Sequence, residues 1–302
     1  MQQDGNLLDL EEMNMKKFVA LALAATMMLS MAACGGSSTS SEAETSSAAP
    51  ASSAAEEATS EAAEGEEASG AITTADDLAD KRIGVQAGTT GEIFVQENYP
   101  DAELGSYKSG MDAALDLKNG KLDAVVLDEL PAQSIVAQND DLTILDLDLA
   151  TEEYAIAVKK GNTELLESIN ATIQRMQEDG TYEALVNAFM PAEGDDAIVI
   201  PEKVATEGEV IKMGTNAAFK PFEYAEGTEV VGFDISMSEQ IALDMGRQLQ
   251  VEDMAFDSLL SALDTGVVDF VAAGMTATEE RRQSVDFSDP YYSSKQVVIL
   301  KK

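Results

Sequence analysis

GMTATEERRQSVDFSDPYY, residues Gly274–Tyr292, follows an apolar run from Val267 to Ala273 of the kind that forms a strand buried on both faces. Gly274 breaks that run into a polar turn, and the charged TEERR segment predicts a short helix after it. Such a turn can hold a small anion, because the first N–H groups of a helix are unpaired and its dipole favours negative charge there. Arg281 or Arg282 would add a two-pronged donor matched to a carboxylate. In isolation the same residues also fit a solvated charged turn closing a strand, so the neighbouring segments have to decide.

Upstream of the turn, strand and helix patterns alternate. Val210 to Thr215 predicts a strand delivering Asn216, Asp234 is placed to cap a helix through about Met245, and Gly246 stops it. Val251 to Phe256 leads into a helix from Asp257 to Thr265, and Gln296 to Leu300 predicts a last strand. The first half alternates in the same way. Arg82 to Gln86 predicts a strand entering Ala87-Gly88-Thr89-Thr90-Gly91 and a helix from Glu92 to about Asn98, a second possible anion cradle. Ser109 caps a helix through Lys118 that Gly120 ends, and Leu122 to Leu127 predicts a buried strand with Asp128 at its carboxyl end. Aligning Gly120 with Gly266 superposes Leu117 on Leu263 and Val125 on Val271, an echo that fits two similar lobes but also the ordinary recurrence of helix, Gly and strand. Tyr154 to Lys159 predicts an extended run, Thr163 to Met190 two helices split by Gly180, and Pro191 to Glu209 a linker.

The 302 residues suffice for two modest lobes with their own cores. A formal charge of −37 and the absence of His argue against nucleic acid, a His-based triad or a His metal site, so neither cofactor nor metal is expected. Part of the acidity lies in Gly35 to Ala71, a Ser, Ala, Glu and Gly stretch without a basic residue. That composition buries too little apolar surface to offset chain entropy and predicts a disordered tether. Before it, Met15-Lys16-Lys17 is basic, Phe18 to Met31 is apolar, and Ala32-Ala33-Cys34-Gly35 is a small-residue cleavage site. The run falls short of the roughly 20 residues of a membrane span, which predicts an export signal. It resembles a bacterial lipoprotein signal, making Cys34 a lipidated first residue and Met1 to Asn14 an upstream start; a lone Cys is otherwise an inert buried thiol.

Three blocks, GTNAAFKPFEY (Gly214–Tyr224), VVGFDISMSEQIA (Val230–Ala242) and the opening stretch, together resemble the bacterial extracellular solute-binding proteins of family 3, which serve amino-acid ABC importers. A second group between Asp77 and Met190, KRIGVQAGTTGE, LKNGKLDAVVLDELPA, EYAIAVKKGN and INATIQRMQEDGTYEALVNAF, resembles the same family. In the family this group follows the first; here it precedes it. The resemblance implies an α/β, two-lobed type II periplasmic-binding-protein (Venus-flytrap) fold in circularly permuted order. Residues 1–34 would be the upstream segment and signal, 35–71 the tether and 72–153 the smaller lobe. Residues 154–190 would be a hinge strand and helices packing on the other lobe, 191–209 a linker, and 210–302 that other lobe, ending in the second hinge strand. Only Tyr154 to Lys159 would then cross between lobes covalently, which predicts a wider open ensemble than in an unpermuted relative.

The resemblance also implies a site. Arg281 would take the α-carboxylate of a free amino acid, helped by Thr276 and by Thr89 and Thr90, while Asp128 and the Gly274 carbonyl would take the α-ammonium. Phe219 and Phe256 would sandwich the ligand, with Met275 in the same binding turn. Asn216 and Gln86 would face the ligand's side chain, and as neutral amides they favour a polar ligand such as glutamine. The physical need is clear: either ligand charge buried unpaired is costly, so a dry cleft requires a fixed cation facing a fixed anion. Implied partners are the amino acid, an ABC permease and the membrane through the lipid anchor, for an extracytoplasmic monomer. A swapped dimer, a sensory ligand-binding protein and a cyclohexadienyl-dehydratase-like enzyme are the alternatives. The enzyme needs a general acid, and only Glu223 and Glu153 lie near pocket segments.

Overall fold

The computed structural model describes residues 71–147, 149–191, 198–204 and 207–302. The expected signal, Cys34, the tether up to its last residue and parts of the 191–209 linker lie outside the described residues. In chain order come β1 (Arg82–Gln86), α1 (Thr90–Asn98), β2 (Glu103–Tyr107), α2 (Gly110–Lys118), β3 (Ala124–Asp128), α3 (Glu129–Val136), β4 (Leu142–Leu145) and β5 (Thr151–Tyr154). Then follow β6 (Ala157–Lys159), α4 (Thr163–Asp179), α5 (Thr181–Phe189), β7 (Val210–Thr215), β8 (Ala218–Phe219), β9 (Glu223–Glu226), β10 (Glu229–Val231) and α6 (Phe233–Asp244). The last elements are β11 (Gln248–Asp253), α7 (Leu259–Thr265), β12 (Phe270–Val271), β13 (Val285–Phe287) and β14 (Tyr292–Lys301).

Two main sheets make two lobes. One runs β2-β1-β3-β14-β4, with β5 also on β14; the other runs β11-β7-β12-β6-β13; β10-β9-β8 form a small third sheet. Side-chain patterns explain the positions. AVVLD of β3 and the QVVI core of β14 are buried on both faces and lie centrally, whereas β2 is half exposed and forms an edge. Helices α4 and α5 pack on α6, where Arg175 donates to Asp244 at 2.8 Å and to Gln240 at 3.0 Å. No helix among the described residues is long and apolar enough to cross a membrane.

The chain passes between the lobes twice, and both passages are covalent: Tyr154 to Ala157 between β5 and β6, and Phe287 to Tyr292 between β13 and β14. The expectation of a single covalent crossing, with the chain ending at the hinge, is therefore corrected. Gln296 to Ile299 are buried and pair with β3, while Val298 to Lys301 pair with β4, so the final strand is an interior strand of the other lobe's sheet. An apolar run of this kind cannot stop at a solvated hinge, and the basis for a wider open ensemble disappears with it. Ile72 and Leu300 pack against the same apolar cluster around Leu78, Ile83, Val85 and Val298, so both ends of the described chain belong to one lobe.

Helix termini follow the expected chemistry at several points. Ser109 Oγ accepts the Asp112 N–H at 3.2 Å and opens α2. Ser109→Ala should lower stability by about 1 kcal/mol, seen as an earlier denaturant midpoint. Asp234 is a correction: Gly232 is the cap of α6, and the first helical N–H groups donate to the Pro221 and Phe222 carbonyls at 3.1 and 2.9 Å. With those donors satisfied by backbone, the Asp234 carboxylate turns inward. The predicted Val267–Ala273 strand shrinks to β12 because the Val267 N–H closes α7 on the Ala262 carbonyl at 2.9 Å.

Candidate functional site

The residues singled out in the sequence converge on one cleft, except Met275 and Arg282, which is exposed with its guanidinium 5.4 Å from the centre of the Phe287 ring. From the β3–β14 lobe come Gln86 at the end of β1, Thr89 and Thr90 at the start of α1, and Asp128 at the end of β3. From the other lobe come Asn216 after β7, Phe219 on β8, Phe256, and Gly274, Thr276 and Arg281 beyond β12. They line a narrow, closed cleft in which the space open to the centre of a water-sized sphere is about 10 Å³. Met275 is 1% exposed and packs into the apolar cluster with Val285 and Phe287, because the turn at Gly274 directs it inward.

Arg281 supplies the cation. Its Nη1 donates to the Thr276 carbonyl at 2.7 Å, its Nη2 to the Gly88 carbonyl of the opposite lobe at 2.9 Å, and the guanidinium lies 5.6 Å from the centre of the Phe256 ring. It is 8% exposed and makes no ion pair with the described residues. Burial lowers its pKa, partly offset by the charges of Glu152 and Asp128. The short helix expected after Gly274 is only a 3₁₀ turn, Arg281–Gln283, so the helix-dipole cradle is corrected there and the guanidinium carries the charge. The second cradle is different. Thr89 caps α1, Glu92 accepts the Gly88 N–H at 2.7 Å, and the N–H groups of Thr90 and Gly91 find no acceptor among the described residues. Of these, Thr90 lines the cleft together with Arg281, a pairing of donors suited to a carboxylate.

Asp128 supplies the anion. It accepts a hydrogen bond from the Tyr154 hydroxyl and one from Gln296 Nε2 at 2.5 Å. Burial, and then the nearby Glu152 carboxylate, push its pKa up to about 7, against the pull of the two donors and of Arg281. Glu152 itself accepts from the Thr276 hydroxyl and from Gln296 Nε2 at 3.3 Å. A cationic group entering the cleft would shift Asp128 towards its ionised form. Farther along, Gln86 Nε2 donates to Asn216 Oδ1 at 2.9 Å and Asn216 Nδ2 to the Met254 carbonyl at 2.8 Å, so the two amides meet across the cleft. With the Arg281 to Gly88 bond, these contacts hold the lobes closed.

Several contributors were not singled out as site residues from the sequence. Glu223 and Ala273 line the cleft. Strand alternation in β5 puts Glu152 inward and leaves Glu153 exposed, the reverse of the residue named near the pocket. Gln296 carried a readable signal: a single amide inside an apolar strand needs a buried polar partner. Gly274 has φ +54, and a Cβ there would lie 2.7 Å from the Phe219 ring, so only glycine fits between turn and ring.

Comparison with known proteins adds the following. The family model for bacterial extracellular solute-binding proteins, family 3, matches residues 64–192 and 211–302. The arginine-binding extracellular protein ArtP of Bacillus subtilis (strain 168) is 48% identical over 90 residues, 30% of this chain and 35% of ArtP. The L-cystine-binding protein TcyJ of Escherichia coli (strain K12) is 35% identical over 125 residues, 41% of this chain and 47% of TcyJ. The chain thus spans between a third and a half of the length of these curated relatives. Among solved structures, the arginine-bound form of truncated ArgBP from T. maritima is 42% identical, with a TM-score of 0.27, covering 28% of this chain and 40% of that one.

Proposed function

Because the chain belongs to the bacterial extracellular solute-binding proteins, family 3, and has two α/β lobes around a cleft, we propose that it is the substrate-binding component of an amino-acid ABC importer. It binds a free L-amino acid between the lobes and presents it to a membrane permease. One observation carries this reading: a buried arginine without an ion-pair partner among the described residues faces a buried aspartate across the cleft, the pair of charges a zwitterion lacks when it leaves water. Arg281, with the N–H group of Thr90 and with Thr276 and Thr89, takes the carboxylate. Asp128 and the Gly274 carbonyl take the ammonium, and Phe219 and Phe256 flank the ligand. Gln86 and Asn216 meet its side chain, and their neutral amides favour a polar one, as in glutamine. ArtP and TcyJ are named for binding amino acids, which supports a binder over an enzyme.

The remaining parts of the reading are extracytoplasmic anchoring through a lipidated Cys34, a monomeric state, and lobes in circularly permuted order. Support for the permutation comes from Ile72 and Leu300 sharing one apolar cluster, which would let an unpermuted chain join them there. The test is a melting-temperature screen of the purified chain with each common L-amino acid, since a ligand that binds only the folded state raises the transition by mass action. At a ligand concentration 100 times Kd the expected stabilisation is about 2.7 kcal/mol. A cooperative melt unmoved by every amino acid would overturn the proposal.

A further inference from the structure

Behind the cleft lies a buried acid pair that the binding scheme above does not use. Glu223 and Asp234 are both fully buried, and Glu223 reaches the cleft wall. Asp234 Oδ2 accepts two hydrogen bonds, from the Gly274 N–H at 2.9 Å and from the Tyr291 hydroxyl at 2.7 Å. With both carboxyls ionised, Asp234 Oδ1 and both Glu223 oxygens would have no donor among the described residues. A proton kept on Glu223 would remove the conflict by letting the acid donate to Asp234, and burial together with the Asp234 charge pushes Glu223 in that direction, well above the usual carboxylate range.

The backbone forces this arrangement. Gly232 has φ +140, and a Cβ there would lie 2.1 Å from the Phe222 carbonyl oxygen, so α6 begins hard against the Phe222–Glu223 backbone. Asp234, two residues on, is delivered beside Glu223 and under the Gly274 turn. Gly274 has its N–H on Asp234 and no donor on its carbonyl among the described residues. Asp234 thus holds the peptide that Gly274 shares with Ala273, while the Gly274 carbonyl belongs to the next peptide, shared with Met275, and Gly274 itself lines the cleft.

We propose that Asp234 is a positioning residue for the ammonium half of the site: by gripping the Gly274 N–H and the Tyr291 hydroxyl while Glu223 satisfies its other oxygen, it fixes the Gly274 carbonyl towards the ligand's ammonium. This rests on the amino-acid reading of the cleft. Tyr291 lies in the second passage between lobes, and its own N–H donates to the Tyr154 carbonyl at 2.9 Å. Asp234 therefore ties the binding turn to the segment that must bend when the lobes open.

The test separates positioning from general support by removing the ammonium from the ligand. Dissociation constants are measured by calorimetry for L-glutamine and L-arginine, and for their des-amino analogues glutaramic acid and 5-guanidinopentanoic acid. Proteins are wild type, Asp234→Ala, Asp234→Asn and Glu223→Gln, each held below its melting temperature. Asp234→Ala should weaken whichever amino acid binds by about tenfold or more and change its des-amino analogue by less than about threefold. Asp234→Asn can still accept from Gly274 and Tyr291 and donate to Glu223, and Glu223→Gln can still donate to Asp234, so both should stay within about threefold of wild type. Equal losses for amino acid and analogue, or no loss in Asp234→Ala, would overturn the proposal. If wild type binds neither amino acid nor any other of the common set, the amino-acid reading itself fails and this proposal falls with it.

Discussion

Arg281→Ala is expected to reduce amino-acid affinity by at least about 100-fold, or about 2.8 kcal/mol at 1.4 kcal/mol per decade, while leaving the ligand-free melting temperature unchanged or higher. The two halves have one cause. The guanidinium is buried without an ion pair among the described residues, held by two carbonyls and an aromatic face. Its desolvation is a liability in the empty cleft and is repaid when a carboxylate arrives. Arg281→Lys keeps a charge but not the fork, so an intermediate loss near tenfold is expected. Calorimetric titration and melting curves on the same samples check both halves. Undiminished affinity in Arg281→Ala would place the carboxylate elsewhere.

Raising the pH from 5 to 8 is expected to lower the melting temperature of the ligand-free chain and to strengthen ligand binding. Asp128 is pushed up to about 7 and Asp234 to about 6, and Glu223 lies well above its ordinary range, burial being the main cause in each. Between the unfolded value near 3.8 and about 7 the folded state holds protons that the unfolded state has released, so stability falls as pH rises through that window. For Asp128 the shift corresponds to about 4 kcal/mol at roughly 1.4 kcal/mol per pH unit, less whatever the lobes recover by opening and rehydrating the carboxyl. Asp77 and Asp179, held near 2 chiefly by hydrogen bonds, act in the opposite direction and only below about pH 4. A bound ammonium needs Asp128 ionised, so binding below pH 7 releases a proton and affinity should rise by up to about tenfold per unit from pH 5 to 7. Asp128→Asn should abolish that dependence along with most of the affinity. Affinity that falls over the same range would contradict the assignment of Asp128 to the ammonium.

Local punctuation explains which elements could be read in advance. Ser109 before α2, Gly120 after it and the apolar AVVLD run of β3 each state their conformation within a few residues. Gly180 likewise divides α4 from α5. Where a residue's partner is distant, reading failed. Asp234 looks like a cap until the Gly232 contact is known, and the polar YSSK opening hides the first half of a ten-residue strand whose partners are β5, β3 and β4. The cleft residues are legible only through the order of motif blocks, because Arg281 and Asp128 lie in different lobes and no local pattern links them. The groups that hold them, Tyr154, Gln296 and Glu152, come together only through the pairing of β3, β5 and β14. Met275 shows the limit of a contiguous motif, since its neighbours face the cleft and its side chain faces the core.

The most direct measurement is a crystal structure of the protein grown with the amino acid that gives the largest melting shift. The account predicts a zwitterion between the lobes, its carboxylate on Arg281 and the start of α1, its ammonium on Asp128 and the Gly274 carbonyl. An amino acid bound with the two ends reversed, or outside this cleft while the cleft stays closed, would contradict it.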